Sequence, residues 1–285
     1  MLKNWWLKII LKIILSRLPI SYKTWSKIGL FRHGSMDDYS YVWKVLNKHV
    51  SVLNDTNGWR GLELGPGDGV LSALLAPALG SSGLALVDSG NFAHNDARKY
   101  YQNIAQFLDS YPDMRLPDIP DTSNVKEMLS VVGGSYYTKG LDSLQGLESD
   151  SYNLIYSQAV LEHVRKDKFE DTMRECYRLL SVNGVMSHVV DYKDHLGGSL
   201  NNMRFPSNLW EKKWFASKSG FYTNRLRVSE MIKICKDIGF NVYIRDIKKW
   251  ATLPINRESL ANEFKSLSDD DLLISEAHLI MYNDQ

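Results

Sequence analysis

The residues best suited to chemistry lie in two runs, and each run follows an apolar segment that predicts a β-strand. The first is Glu63-Leu64-Gly65-Pro66-Gly67-Asp68-Gly69, and the next apolar segment ends at Asp88. Glycines let a backbone approach a bound nucleotide closely, and a carboxylate can accept two hydrogen bonds from a ribose diol. Glu63 is placed to orient the loop. These residues therefore predict a site for a nucleotide-like cofactor.

The second run, Asp191-Tyr192-Lys193-Asp194-His195, offers a base and a carboxylate to orient it. We predict that Asp191 and His195 are catalytic, with a solvated loop as the alternative interpretation. His163 is a further candidate base, although it also fits a helix cap or a cofactor contact. A divalent cation on Asp191, Asp194 and His195 is another alternative. We assign no metal ligands, because neighbouring residues rarely point together without a specific turn.

Alternating apolar segments predict the elements that position these runs. Strands are predicted at residues 59–64, 84–87, 135–139, 152–156, 185–191, 241–247 and 276–282. Helices are predicted at residues 39–53, 70–79, 125–131, 169–180 and 229–239, with Asp167 and Glu170 as a capping box and Asn183-Gly184 as a turn. This alternation predicts a doubly wound, Rossmann-like α/β fold with a mostly parallel, seven-stranded sheet.

Residues 193–227 interrupt this periodicity and accumulate aromatic and basic side chains. An insertion directly after the fifth strand is expected to overhang the site as a lid. Indole faces stack on sugar rings, and guanidinium groups pair with phosphates. The alternative is ordinary packing within the lid. The predicted substrate-binding residues are Arg204, Trp210, Trp214, Tyr222 and Arg225.

The first 36 residues contain seven basic and no acidic residues. Residues 4–18 predict an amphipathic helix that ends at Pro19, too short and too rich in lysine to span a bilayer. No signal-peptide cleavage site follows, so we expect a cytoplasmic protein. The helix either lies on an anionic membrane at the inner face of the cytoplasmic membrane or packs on the core or on a second subunit of a homodimer. We divide the chain into this leader, 1–37, and a catalytic domain, 38–285.

Composition narrows the remaining possibilities. With 285 residues, of which 44% are apolar, the chain suits one α/β core with additions. The net charge is +1, and the chain after residue 36 sums to −6, which disfavours a nucleic-acid-binding domain. Two distant cysteines, Cys176 and Cys235, are expected to be buried thiols in a reducing compartment.

Three segments together resemble class I methyltransferases that depend on S-adenosylmethionine. The glycine run resembles their first motif, and Val70 stands where the dinucleotide pattern has a third glycine. Residues 152–164 (YNLIYSQAVLEHV) are similar to their fourth-strand segment, and residues 177–184 (YRLLSVNG) to the approach to their fifth strand. The resemblance covers residues 38–192.

This resemblance implies S-adenosylmethionine as the cofactor. The residues that it places at the cofactor are Glu63, Gly65, Gly67, Gly69, Asp88, Asp142 and Ser157. Asp142 enters as a substitute, because Leu141 occupies the position where an adenine-contacting aspartate is common.

The chain also resembles methyltransferases associated with bacterial surface-polysaccharide biosynthesis, through residues 30–36, 187–191 and 220–227. This implies O-methylation of a sugar nucleotide or a lipid-linked glycan. A methyltransferase for quinones, other lipids or other small molecules and a non-catalytic scaffold that binds S-adenosylmethionine remain alternatives.

Overall fold

A computed structural model describes residues 5–15, 35–120, 122, 124–215 and 220–283. In these residues one sheet has seven strands in the order β3-β2-β1-β4-β5-β7-β6. Strand β7 is antiparallel to both neighbours, and the other pairs are parallel. The strands are β1 (Trp59–Leu64), β2 (Ser81–Val87), β3 (Ser135–Tyr137), β4 (Tyr152–Gln158), β5 (Leu180–Asp191), β6 (Phe240–Lys249) and β7 (Ile274–Asn283). The predicted mostly parallel α/β fold is confirmed.

Helices cover both faces of this sheet. In the described residues they are α1 (Trp5–Leu15), α2 (Tyr39–Val50), α3 (Leu71–Leu75), α4 (Ala97–Ser110), α5 (Val125–Val131), α6 (Leu141–Gln145), α7 (Lys166–Leu179), α8 (Ser207–Trp210), α9 (Val228–Ile238) and α10 (Asp269–Leu272). Side chains of α2 to α5 pack on one face of the sheet, and those of α7 and α9 on the other. Each core is built from the apolar stripe that the helical spacing predicts.

Two local predictions at the turns are wrong. Helix α7 begins at Lys166, one residue before the predicted capping box, and Arg165 at its N-cap makes no side-chain cap. Asp167 pairs with Arg165 at 3.0 Å, and Glu170 pairs with Arg174 at 2.6 Å. The predicted turn at residues 183–184 lies inside β5, because a register irregularity lets the strand start at Leu180 with Asn183 in the left-handed region.

The leader helix α1 packs on the insertion that follows β5. Ile9 is buried in a cluster with Leu196 and Trp210, and the Trp5 ring lies edge-on to Phe205 at 6.0 Å. The expectation that the leader packs on the body of the protein is therefore confirmed for this face. The predicted helix residues 4 and 16–18, and Pro19, lie outside the described residues.

A neighbouring side of α1, about a quarter turn from Ile9, carries an apolar ridge of exposed side chains. We define this ridge as Trp6, Ile10 and Ile14, which are 48%, 49% and 56% exposed. Their spacing of four residues places them along one line of the helix. Among the described helices, none is both long and apolar enough to cross a bilayer.

Arg227 fixes the end of the insertion to the sheet. Its buried guanidinium donates to the backbone oxygens of Tyr192 at 3.2 Å and Asp271 at 2.7 Å, and also to that of Ile274. Burial lowers the pKa of Arg227 to about 10, so the group remains charged at neutral pH. The carbonyl groups at the end of β5 and the start of β7 thus share one donor.

Replacing Arg227 by methionine should lower the free energy of unfolding by about 3 kcal/mol, because several buried carbonyl groups lose a charged donor. Urea titration followed by circular dichroism measures the change. The matched control is Arg98→Met, since the Arg98 side chain is 86% exposed. Equal stabilities for the two variants would contradict a structural role for Arg227.

Candidate active site

The predicted functional runs meet at the carboxyl ends of parallel strands, where ligand sites of such sheets occur. The glycine loop, residues 65–69, follows β1 and adopts backbone angles that suit glycine. Gly65 and Gly67 have φ values of +67° and +68°, in the left-handed region that side chains disfavour. A Cβ atom at Gly69 would lie 2.2 Å from the carbonyl oxygen of Met36. The backbone conformation of the loop therefore requires glycine at positions 65, 67 and 69.

Asp88 joins this loop to the end of β2. Its carboxylate accepts the Gly67 N–H at 3.1 Å and the Ser89 N–H at 2.6 Å. The Asp88 carbonyl accepts the Gly140 N–H at 2.8 Å, which places α6 beside it. Asp142 is an exposed residue in the first turn of α6. The structure thus brings together the glycine loop, Asp88 and the helix that carries Asp142.

Glu63 lies beneath the loop and has almost no exposed surface. Ser72, in the helix that follows the loop, donates a short hydrogen bond to its carboxylate. Burial raises the pKa of Glu63 to about 7, and the hydrogen bond from Ser72 opposes this shift. A carboxyl group that gains and loses its proton near neutral pH therefore lies under the glycine loop.

Ser157 does not belong to this group, and its predicted cofactor contact is wrong. Its side chain is completely buried, and its hydroxyl shares a 2.8 Å hydrogen bond with Nδ1 of His188. Although Ser157 lies opposite Leu64, directly before the glycine loop, alternation along β4 directs its side chain into the core that packs against α7 and α9. His188 is a buried histidine with a partner, as its apolar strand predicted.

The two predicted histidines, His163 and His195, come together from different loops. Their ring centroids lie 4.7 Å apart in an edge-to-face arrangement. His163 follows β4, and its Nδ1 hydrogen-bonds the carbonyl oxygen of Tyr222 at 2.9 Å, so this nitrogen is the donor. Desolvation by the surrounding chain lowers the pKa of His195, although part of the residue reaches the surface. The ring of His195 is therefore neutral at neutral pH.

Glu162 is a functional candidate that the sequence analysis missed. It is 3% exposed, and although the backbone N–H groups of Glu162 and Asp191 lie nearby, neither carboxyl oxygen makes a well-formed hydrogen bond among the described residues. Burial raises the pKa of this carboxyl group well above its ordinary value, and the charge of Asp191 adds to the shift. Glu162 adjoins His163 in the fourth-strand segment, and this adjacency was the available signal.

The carboxylates of the second run have different surroundings. Asp191 pairs with Lys193 at 2.8 Å and is partly exposed at the end of β5. Asp194 is buried and accepts the backbone N–H groups of Leu196, Gly198 and Asn201. Because these bonds occupy its carboxylate, the alternative of a cation on Asp191, Asp194 and His195 is wrong. Asp191 and His195 remain candidates.

Two predicted substrate residues are structural. Trp210 is completely buried, and its indole N–H donates to the Thr223 carbonyl at 2.8 Å, so its faces cannot stack on a sugar. The Arg225 guanidinium is buried against the Trp210 ring and donates to the Phe205 carbonyl at 2.6 Å and to the Ser207 hydroxyl at 2.9 Å. The alternative of ordinary lid packing is correct for this pair.

The other three predicted substrate residues differ in accessibility. The Arg204 guanidinium lies 5.2 Å from the Trp5 ring centroid and so joins the lid to α1. The Tyr222 hydroxyl donates to Glu211 at 2.9 Å and accepts the Lys166 N–H at 3.1 Å. Trp214 is 58% exposed. Its indole is therefore the most accessible of the predicted sugar-stacking groups.

The arrangement combines the backbone cradle of the glycine loop with a cluster of titratable groups at the same edge of the sheet. The cradle lies at the ends of β1 and β2, while Glu162, His163 and His195 lie in the loops after β4 and β5. An imidazole in such a position can accept a proton or bind an acceptor atom.

The chain has recognisable relatives. A family described as Methyltransferase domain matches residues 40–250, and no curated protein matches the chain. Among solved structures, the YcgJ protein from Bacillus subtilis is 13% identical, covers 84% of this chain and 98% of its own, and has a TM-score of 0.47. An S-adenosylmethionine-dependent methyltransferase from Mesorhizobium loti is 17% identical, with coverages of 84% and 97% and a TM-score of 0.46. The N-methyltransferase NodS from Bradyrhizobium japonicum, in complex with S-adenosylhomocysteine, is 12% identical, with coverages of 86% and 87% and a TM-score of 0.42.

The raised pKa of Glu63 predicts a pH dependence of stability. Below pH 4.5 the carboxyl group is protonated in both the folded and the unfolded chain. Between pH 4.5 and about 7 the unfolded chain loses this proton while the folded chain keeps it, so stability falls as the pH rises. The loss should approach about 3 kcal/mol.

Glu63→Gln should remove this contribution, since glutamine stays neutral. Urea titrations of both proteins across this pH range, without cofactor, measure the difference in unfolding free energy. The exposed Glu148→Gln serves as control. A constant difference between wild type and Glu63→Gln at all pH values would contradict the assignment.

Proposed function

We propose that this chain, which belongs to the Methyltransferase domain family, methylates a hydroxyl oxygen of a lipid-linked glycan. It is a methyltransferase that uses S-adenosylmethionine. The observation that supports a hydroxyl acceptor is the pair His163 and His195 at the strand edge that carries the glycine loop. A hydroxyl group must lose its proton when it is methylated, and a neutral imidazole is a suitable acceptor.

The residues at the glycine loop fit the cofactor. Gly65 and Gly67 hold a backbone conformation without side chains, which leaves the approach to the loop open. The Asp88 carboxylate is oriented by two backbone N–H groups, and carboxylates at this strand end suit a ribose diol. We assign Glu63 to orienting the glycine loop and Asp142 to contacting the adenine of the cofactor. Gly69 lets the loop pack closely against the backbone of Met36.

S-adenosylmethionine supplies an electrophilic methyl group on a sulfonium sulfur. The work left to the chain is to align the acceptor and to receive its proton. We assign His195 and His163 to the acceptor hydroxyl. We assign Asp191 to orienting this end of β5 through its ion pair with Lys193.

The choice of a glycan rests on the lid. Trp214 offers an exposed indole face, and such faces stack on sugar rings. Trp210 and Arg225 provide no support for the glycan, since both are committed to packing within the lid. The sugar-stacking role therefore falls to Trp214, with Arg204 and Tyr222 at the borders of the lid.

The choice of a lipid-linked acceptor rests on the leader. The apolar ridge Trp6, Ile10 and Ile14 is exposed on the side of α1 that neighbours its contact with the lid. Seven basic and no acidic residues occur in the first 36 residues, and this charge complements an anionic lipid surface. Apolar groups and cations on one short helix suit binding in the membrane interface. We propose that the ridge holds the lid beside a membrane-borne substrate.

Asp88→Asn should weaken the affinity for S-adenosylhomocysteine by roughly tenfold or more, because a charged acceptor for the ribose is lost. Calorimetric titration measures this affinity. Ser157→Ala is the control and should leave the affinity within about twofold, since Ser157 hydrogen-bonds to His188 in the core. An unchanged affinity in Asp88→Asn would remove Asp88 from the cofactor site.

The acceptor is tested with S-adenosylmethionine labelled in its methyl group and a polyprenyl-diphosphate-linked sugar in anionic vesicles. Label should enter the lipid phase and move to the aqueous phase when mild acid releases the sugar. Label that stays in the lipid phase would instead support methylation of the lipid itself. No transfer by a protein that binds S-adenosylhomocysteine would contradict the proposed acceptor.

The ridge variant Trp6→Ser, Ile10→Ser and Ile14→Ser should lower this transfer by roughly tenfold or more while the affinity for S-adenosylhomocysteine is retained. Val182→Ser removes an equally exposed apolar side chain elsewhere and should transfer normally.

A further inference from the structure

We propose that Glu162, His163 and His195 form a binding site for one divalent transition-metal ion such as Zn²⁺ or Mn²⁺. The inference rests on the proposed function, because it gives the imidazole pair its means of binding the acceptor oxygen. Each residue contributes one donor atom, and the three donor atoms lie within 4.8 Å of one another. They come from two loops, after β4 and after β5, that the sheet brings together.

The surroundings of Glu162 support the metal site independently of the distances between the three donor atoms. Its carboxyl group is buried and faces the backbone N–H groups of Glu162 and Asp191, yet neither oxygen makes a well-formed hydrogen bond among the described residues. Burying an unpaired carboxylate is costly, and a bound cation is one of the few groups that compensates it. Glu162 and Asp191 also line a cavity of about 10 Å³, which is close to the space that one water molecule needs. A water molecule therefore has room beside Glu162, in a cavity that neither histidine lines.

The donor set indicates the class of metal. Two imidazoles with one carboxylate suit Zn²⁺, Mn²⁺ and Fe²⁺, whereas Mg²⁺ and Ca²⁺ prefer oxygen ligands. Bonds of about 2.0–2.2 Å to the metal would require the donor atoms to approach one another by roughly 1 Å. Nδ1 of His163 carries the proton that it donates to the Tyr222 carbonyl. The atom of His163 that would bind the metal is therefore Nε2.

The charges around the three ligands are of both signs, since Arg225 and Arg227 line the cavity beside Glu162 and are held there by backbone carbonyls. Lys193 pairs with Asp191 at 2.8 Å, so this pair adds no net charge. Lys12 approaches the His195 carbonyl at 3.4 Å, and the nearby carboxylate of Asp194 opposes its charge. Because burial raises the pKa of Glu162, its carboxyl group holds a proton in the absence of a cation, and this proton is released when the metal binds. Three protein ligands leave a coordination position for the acceptor hydroxyl. With the metal bound, the imidazoles act as ligands and not as proton acceptors; the metal would lower the pKa of the coordinated hydroxyl, whose proton would pass to solvent water.

Metal binding is tested directly with the full-length protein. After dialysis against a chelator, equilibrium dialysis with Zn²⁺ or Mn²⁺ should give one ion per chain. Glu162→Gln, His163→Gln and His195→Gln should each weaken this binding by roughly tenfold or more, while His94→Gln, a histidine at another site, should not. With Co²⁺, the wild-type protein should show a visible absorption band that His195→Gln loses.

Two outcomes would overturn the proposed metal site. The first is wild-type protein that binds none of these ions stoichiometrically. The second is metal affinity that stays at the wild-type value in Glu162→Gln and His195→Gln. Titration of the same samples with S-adenosylhomocysteine shows whether each variant is folded. A methyl-transfer assay of chelator-treated protein separates the two proposals. Transfer without metal would overturn a catalytic role of the metal and leave the methyltransferase assignment intact.

Discussion

The hydrogen bond from the Gly67 N–H to the Asp88 carboxylate is the interaction on which the site depends. It joins the loop after β1 to the end of β2, and the Asp88 carbonyl extends the connection to α6. In a parallel sheet these ends share one edge, so one aspartate can organise three segments that are distant in sequence. Glu63 and Ser72 support the loop from below. The cradle is therefore built from backbone geometry and a single carboxylate, with little dependence on side-chain shape.

The insertion after β5 has a different physical basis. Its structure depends on two buried guanidinium groups that bind backbone carbonyls, Arg225 within the lid and Arg227 at its junction with the sheet. Irregular segments leave many carbonyl groups without partners, and an arginine can satisfy several of them at once. Aromatic rings pack against these arginines. Residues that look suited to a phosphate-bearing substrate thus hold the lid together.

The lid also connects the leader to the catalytic edge. Helix α1 buries Ile9 against Trp210, while Lys12 reaches the carbonyl of His195. A surface that held the apolar ridge of α1 would therefore act on the segment that carries a proposed catalytic residue. The leader and the loop after β5 are in direct contact, because α1 touches both the lid and this loop.

The sequence by itself determined the sheet and the glycine cradle, because strand periodicity and glycine backbone angles are local properties. It also placed the carboxylates Glu63, Asp88 and Asp191 at or beside the ends of strands. It further predicted a mostly parallel, seven-stranded sheet and most helix positions, with errors at α7 and β5, where side-chain pairing and a register irregularity decide the boundaries. Which polar side chains are accessible was decided only by the tertiary structure. Trp210, Arg225 and Ser157 have residue types that suit ligands, yet neighbours distant in sequence enclose them. Glu162 entered the site for the same reason, since its burial and its closeness to His195 arise from packing of β4 against β5, which no local pattern encodes.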